Sequence, residues 1–196
     1  VYFLHYQPEA TTCPTGDIFV DQRLCIEMLL KALPSNYMVY VKEHPTQFMY
    51  QNEGHTSRMS DLYDDLIKNR RVKLIPTTVD TFELIEHSKG VGTVCGTVGW
   101  ESIVHKKPVI LFGVSWYENY SKGVLRIKTE ENVRQIQSFI ENYQYDEHAL
   151  KAYLAAVSKN TSVAYYFKQN GKDILNMSEE ECVDNIMGAI ISKVKE

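Results

Sequence analysis

From Val1 to Ile127, short runs rich in β-branched and aromatic residues alternate with segments of helical period. A chain patterned this way buries both faces of its strands, and that requires a parallel sheet with helices packed on either side. The pattern predicts strands over Val1 to Tyr6, Tyr37 to Lys42, Val72 to Ile75, Gly92 to Cys95 and Val109 to Phe112, with a weaker one over Val124 to Ile127. It predicts helices over Asp17 to Leu33, where Pro34 ends the pattern, and over Ser57 to Asn69, Asp80 onward and Thr97 to His105. Asp80 is placed to cap its helix, with Glu83 three residues on. Beyond residue 129 the strands stop, and helices are expected over Glu130 to Asn142, Asp146 to Asn160 and Glu179 to Lys195. The expected organisation is a Rossmann-like α/β unit over 1–128 and a helical extension over 129–196 packing on it. Between these helices lies a stretch of mixed composition whose aromatics Tyr165, Tyr166 and Phe167 read most simply as packing residues.

Several function classes carry little weight. The 196-residue chain has a net charge of −4 with both signs interspersed, so nothing in its charge calls for nucleic acid or a membrane surface. No apolar run is long enough to span a bilayer. The four cysteines, at 13, 25, 95 and 182, are spaced neither as a metal knuckle nor as a Cys-x-x-Cys pair, and they read as free thiols suited to a reducing cytoplasm. Asp64-Asp65 reads as a solvated helix face, and no Asp/Glu/His set resembles a metal site. The chain opens as a strand already under way, which predicts a longer protein.

In an open parallel sheet ligands sit beyond the carboxyl ends of the strands, so the residues following each strand are the candidates. After the first come His5, Gln7, Glu9, Thr11 and Thr12; after the second, Glu43, His44 and Pro45; after the third, Pro76, Thr78 and Asp80; after the fourth, Gly96 and Thr97. The last position has the most definite chemistry. A helix starting at Thr97 offers its hydroxyl, its first backbone N–H groups and the positive end of its dipole to an anion. Glu101, four residues on, lies on the same face about 5–6 Å further along. There it is suited to accept hydrogen bonds from vicinal hydroxyls, and phosphate beside a diol describes a nucleotide ribose. The plain alternative is a Thr N-cap followed by a solvated first-turn Glu, which helix physics also favours. Gly92, Gly96 and Gly99 weigh against it, because they clear the approach to the turn and capping alone needs no such series. Pro45 holds His44 in extended backbone at its strand's end, where the imidazole can donate to a phosphate or be satisfied by a carbonyl. Lys42 and Glu43 read as pairing with neighbours, and Arg58 as a weak candidate for a charged ligand.

The ordered set H-Y-Q-P-E-A-T-T at 5–12, V-K-E-H-P at 41–45, D-T-F-E-L-I at 80–85, G-T-V-G-W-E at 96–101 and K-P-V-I-L-F-G-V-S-W-Y at 107–117 resembles bacterial capsular and surface polysaccharide biosynthesis proteins. Within that group it is similar to the C-terminal, donor-binding half of GT-B glycosyltransferases, including capsule Kdo transferases. The resemblance covers residues 1–126 and implies a CMP- or UDP-linked nucleotide sugar as donor. It implies that His44 and Thr97 contact the donor phosphates, Glu101 the ribose, the backbone around Leu74 to Pro76 the base, and Tyr117 and Glu118 the sugar or acceptor, although packing is the commoner fate of a Trp-Tyr pair such as Trp116-Tyr117. The mechanism it implies is metal-independent transfer to a saccharide or glycolipid acceptor. The catalytic base would come from an N-terminal Rossmann-like domain, and the protein would be cytoplasmic, at the inner face of the membrane through its remaining parts. A sugar-nucleotide 2-epimerase, a non-catalytic nucleotide-binding domain of capsule assembly, and a phosphate-binding module of another class are the alternatives.

Overall fold

A computed structural model describes residues 1–9, 12–49, 54–59, 61–165 and 174–194. Six strands, β1 (Tyr2–Phe3), β2 (Val39–Lys42), β3 (Val72–Ile75), β4 (Val91–Thr93), β5 (Val109–Leu111) and β6 (Val124–Arg126), form one parallel sheet in the order β3-β2-β1-β4-β5-β6. This is the Rossmann order, in which the chain winds outward to one edge, returns to the centre and winds to the other. Each strand occupies its expected place but is generally shorter than the apolar run that announces it. β1 keeps two residues of the six expected, because the chain beyond Phe3 bonds to side chains and loops as well as to its neighbour.

The helices divide between the two faces. α1 (Gln22–Ala32), α3 (Leu62–Lys68) and α6 (Glu130–Glu141) share a core with one face of the sheet, through Ile26, Leu29, Leu66 and Ile136 against Tyr2, Val41 and Ile110. α4 (Thr81–Glu86) and α5 (Thr97–Val104) cover the other, where Phe3, Ile85 and Val91 pack with Leu84 and Val98. Side chains alternate along a strand, so Tyr2 and Val41, paired in register, face the first layer, and their successors Phe3 and Lys42 face the second. The expected helix from Asp17 is a 3-10 turn over Asp17–Val20 followed by α1, since Asp21 bends out of helical geometry and caps α1 through Arg23 N. The helix expected from Ser57 appears as α2 (Gly54–Ser57) and α3.

Contacts divide the chain into Val1–Tyr145 and Asp146–Glu196. α6 therefore belongs with the sheet, packed on α1, although the sequence places a change of character at residue 129. The second unit holds α7 (Glu147–Lys159), capped by Asp146, and α8 (Glu179–Val194). Asn185 of α8 donates to Val163 O at 2.9 Å, and Cys182 Sγ reaches Tyr165 O at 3.6 Å, so Tyr165 has a packing role inside this unit. Tyr166 and Phe167 lie outside the described residues. Among the described residues no helix is long and apolar enough to cross a membrane.

Candidate functional site

Strand order reverses between β1 and β4, and a crevice opens there beyond the carboxyl ends of the strands. It holds a cavity of about 350 Å³ whose walls include His5, Glu9, Lys42, His44, Thr81, Gly96, Thr97 and Glu101. A larger cavity of about 520 Å³ lies at the opposite end of the sheet, lined mainly by Leu29, Leu33, Val39, Ile75, Val91 and Ile110. Size favours the second and chemistry the first: of the two, the cavity at the switch point brings together a helix N-terminus, two histidines, a lysine and three carboxylates, Glu9, Glu43 and Glu101, whereas no carboxylate lines the other.

The backbone around the smaller cavity is pinned from below. His5, at the end of β1 and 7% exposed, accepts at Nε2 from the N–H groups of Val94 and Cys95, each at 3.2 Å, with Thr93 Oγ1 at 2.9 Å. Two obligatory donors on one nitrogen leave the proton on Nδ1, which faces Glu9 Oε2 at 3.7 Å. The imidazole therefore ties the end of β1 to the turn that opens α5. Gly96 is what allows the approach, since a Cβ there would stand 3.0 Å from His5 Cε1.

Gly96 is also the N-cap of α5, and Thr97 is the first helical residue rather than the cap. Asp21, Asp80, Thr129 and Asp146 cap α1, α4, α6 and α7 through their side chains, whereas Gly96 has none to offer. The opening residues of α5, Gly96, Thr97 and Val98, thus line the cavity with no N-cap side chain over their N–H groups. Thr97 is exposed, and Glu101 sits half-buried on the same wall. The other two glycines of the series serve packing, not ligand access. A Cβ on Gly92 would meet the Tyr2 ring at 2.9 Å, and one on Gly99 would meet the Tyr117 hydroxyl at 2.2 Å.

His44 occupies the facing wall. Its Nδ1 accepts from Thr46 N at 3.3 Å and lies 2.8 Å from Thr46 Oγ1, which leaves the proton on Nε2. Burial of the ring edge beside Tyr6 holds its pKa below 6.5, so it is neutral at pH 7 and presents an N–H donor. The loop carrying it is anchored by Glu43, 8% exposed. One carboxylate oxygen of Glu43 accepts from His44 N and Arg58 Nη2, each at 2.6 Å, and the other accepts from the Tyr63 hydroxyl. Arg58 donates further to His5 O at 2.7 Å and Gln47 Oε1 at 3.0 Å. Arg58 is thus committed to an internal ion pair, and its expected place on a ligand passes to that structural role.

The remaining sequence candidates separate from the cavity. Asp80 spends its carboxylate on Glu83 N at 2.9 Å as the cap of α4, and Pro76 and Thr78 are exposed on the loop before it, outside the cavity wall. Tyr117, expected near a sugar or acceptor, is fully buried and donates its hydroxyl to Gly96 O, bracing the turn from behind. Glu118 pairs with Arg126. Thr11 lies outside the described residues. Sequence reading took Lys42 as pairing with a neighbour and passed over Thr81, and both residues stand in the wall. Lys42 is 3% exposed and its Nζ donates to Thr81 Oγ1 at 3.0 Å. The available signal was strand parity: Lys42 falls on the face of β2 opposite the core position of Val41. Among the described residues no group of three or more His, Cys, Asp or Glu side chains is placed to hold a metal ion.

A parallel sheet in this strand order, with a polar cavity at its switch point, defines the chain as an α/β protein of Rossmann-like fold. Residues 20–168 match the family described as capsule polysaccharide biosynthesis protein. The chain belongs to that family. Among solved structures it is similar to the beta Kdo 2,4 transferase KpsC of Thermosulfurimonas dismutans, with a TM-score of 0.53 and 20% identity over 79% of this chain and 42% of that one. The chain thus spans less than half the length of that structure, and the likeness is one of fold. No curated protein matches.

Proposed function

We propose that this chain is the donor-binding half of a GT-B glycosyltransferase acting in capsule or surface polysaccharide biosynthesis, with a nucleotide sugar, CMP- or UDP-linked, as donor. The observation that carries the reading is the convergence of His44, Thr97 and Glu101 on one cavity at the point where strand order reverses. Thr97 and the first N–H groups of α5 hold the phosphate, His44 donates from Nε2 on the opposite side, and Glu101 accepts from the ribose hydroxyls. As the bond to the anomeric carbon breaks, negative charge grows on the leaving phosphate, and donors already fixed in place stabilise it without reorganising. In this scheme protein groups, not a metal, carry that charge. The base that activates a saccharide or glycolipid acceptor comes from a second, N-terminal Rossmann-like domain, and the reaction takes place at the cytoplasmic face of the membrane. Membership of the family and the likeness to a Kdo transferase support this direction.

Calorimetric titration of the full-length protein with CMP, UDP and GDP tests it. One of the three is expected to bind, and Thr97→Val is expected to weaken it. Failure of a folded sample to bind any of them contradicts the reading.

A further inference from the structure

Lys42 presents a physical difficulty that the fold does not resolve. Its side chain is buried, yet among the described residues no carboxylate lies within ion-pair distance of its ammonium, whose hydrogen-bond partner is the neutral hydroxyl of Thr81. Burial pulls its pKa down, opposed by the nearby charge of Asp80, whose carboxylate is itself engaged as a helix cap. Thr81 is the first residue of α4, so the ammonium also stands at the positive end of a helix, where a cation is disfavoured. Buried charges are ordinarily paired, and a methionine of similar length would occupy the same space beside Phe3 without desolvating a charge. A feature that costs stability and is only partly compensated within the protein, here by one neutral hydroxyl and a carboxylate engaged elsewhere, is expected at a functional site.

The ammonium lines the same cavity as Thr97, His44 and the opening turn of α5. We infer that Lys42 is a further binding residue of this site, the cation that meets the phosphate group of the ligand from the floor of the cavity. In the unliganded protein Thr81 holds the ammonium in place, and on binding the phosphate oxygens supply the acceptors that the protein withholds. Three kinds of donor then surround the anion: the N–H groups and hydroxyl at Thr97, the Nε2–H of His44, and the Lys42 ammonium, which alone of the three brings a full positive charge at pH 7. The inference rests on the donor-site reading for its location and on the burial of Lys42 for its chemistry.

The test uses pyrophosphate as the probe, because it carries no base, ribose or sugar. Titration of the full-length protein and its Lys42→Met variant is expected to show at least about a tenfold loss of pyrophosphate affinity in the variant, the scale of a hydrogen bond to a charged group. The melting temperature of the variant is expected to be unchanged or raised, the opposite of what a purely structural lysine predicts. Equal affinity for pyrophosphate, or no binding by either protein, overturns the inference. So does a lowered melting temperature with affinity retained. If Lys42→Met does not fold, the side-chain ammonium signals of ¹⁵N-lysine-labelled wild type decide the question: the Lys42 signal shifts on adding pyrophosphate, and a stationary signal overturns the inference. Nucleotide titrations run alongside keep the two claims apart. Nucleotide binding that ignores Lys42→Met leaves the donor site standing and removes Lys42 from it. Lys42-dependent pyrophosphate binding without nucleotide binding does the reverse.

Discussion

The Glu43–Arg58 pair shows how much a single buried charge can decide. Both side chains are nearly inaccessible, and together they fix the loop that carries His44. Arg58→Met removes one partner and leaves the Glu43 carboxylate buried beside the Tyr63 hydroxyl, an error that costs about 3–5 kcal/mol. Urea denaturation of the variant measures that loss. A change below about 1 kcal/mol shows that the pair does not hold the loop. His44 gives a second prediction. Its pKa is depressed in the folded chain, so the neutral form is the one the fold favours. Its contribution to stability is complete above 6.5, the unfolded value, and falls away as the pH drops through the folded pKa. An imidazole NMR titration is expected to give a midpoint below 6.5 in the free protein, moving upward with a nucleotide bound, since a neighbouring anion favours imidazolium. A midpoint that ignores the nucleotide places the ring away from the phosphate. At this scale the sequence was legible where chemistry and local spacing coincide, as with Thr97 and Glu101 four residues apart on one helix. It was not legible where the partner is remote: strand parity puts Lys42 on the face of β2 opposite Val41, but its partner Thr81 lies 39 positions away, and nothing near Lys42 in the chain announces that contact.

The secondary-structure elements were readable for a different reason. Alternation of β-rich and helical runs is a property of consecutive residues, and each of the six strands lies within or overlaps its predicted run. Strand ends were less readable, because ladder pairing stops where the partner strand stops, and that depends on residues far away. α5 is the element where reading and structure differ most usefully. Its glycines look like clearance for a ligand, but Gly99 exists to admit Tyr117, whose hydroxyl bonds Gly96 O. Gly99→Ala forces a Cβ into that hydroxyl and is expected to destabilise the chain by about 1–3 kcal/mol. Pairing it with Tyr117→Phe removes the clashing oxygen and is expected to recover part of the loss, so the two changes are non-additive in a double-mutant cycle. Strict additivity in thermal melts contradicts the packing account. The same contact explains Tyr117, which the resemblance puts near the sugar or acceptor although a Trp-Tyr pair more commonly packs: its burial depends on a hole in a helix 18 positions earlier in the chain.

For the whole molecule, the Rossmann order decides where chemistry can occur. Reversal between β1 and β4 separates the flanking helices and leaves a crevice, and the polar cavity lies in that crevice although a larger apolar one lies at the other end of the sheet. Membership of the capsule polysaccharide biosynthesis family agrees with a site of this kind, and the similar transferase structure is more than twice the length this chain spans. The central claim is that Thr97 and Glu101 divide a nucleotide between phosphate and ribose. It is tested most directly by crossing a change in the protein with a change in the ligand. Whichever nucleotide binds the full-length protein is titrated beside its 2′,3′-dideoxy form, into wild type and Glu101→Ala. Loss of hydroxyls that bond a carboxylate is worth about 1.5–3 kcal/mol, or about 10- to 150-fold in affinity. The account predicts that penalty in wild type and its near disappearance in Glu101→Ala, where the dideoxy and parent nucleotides bind alike. An equal penalty in both proteins contradicts it.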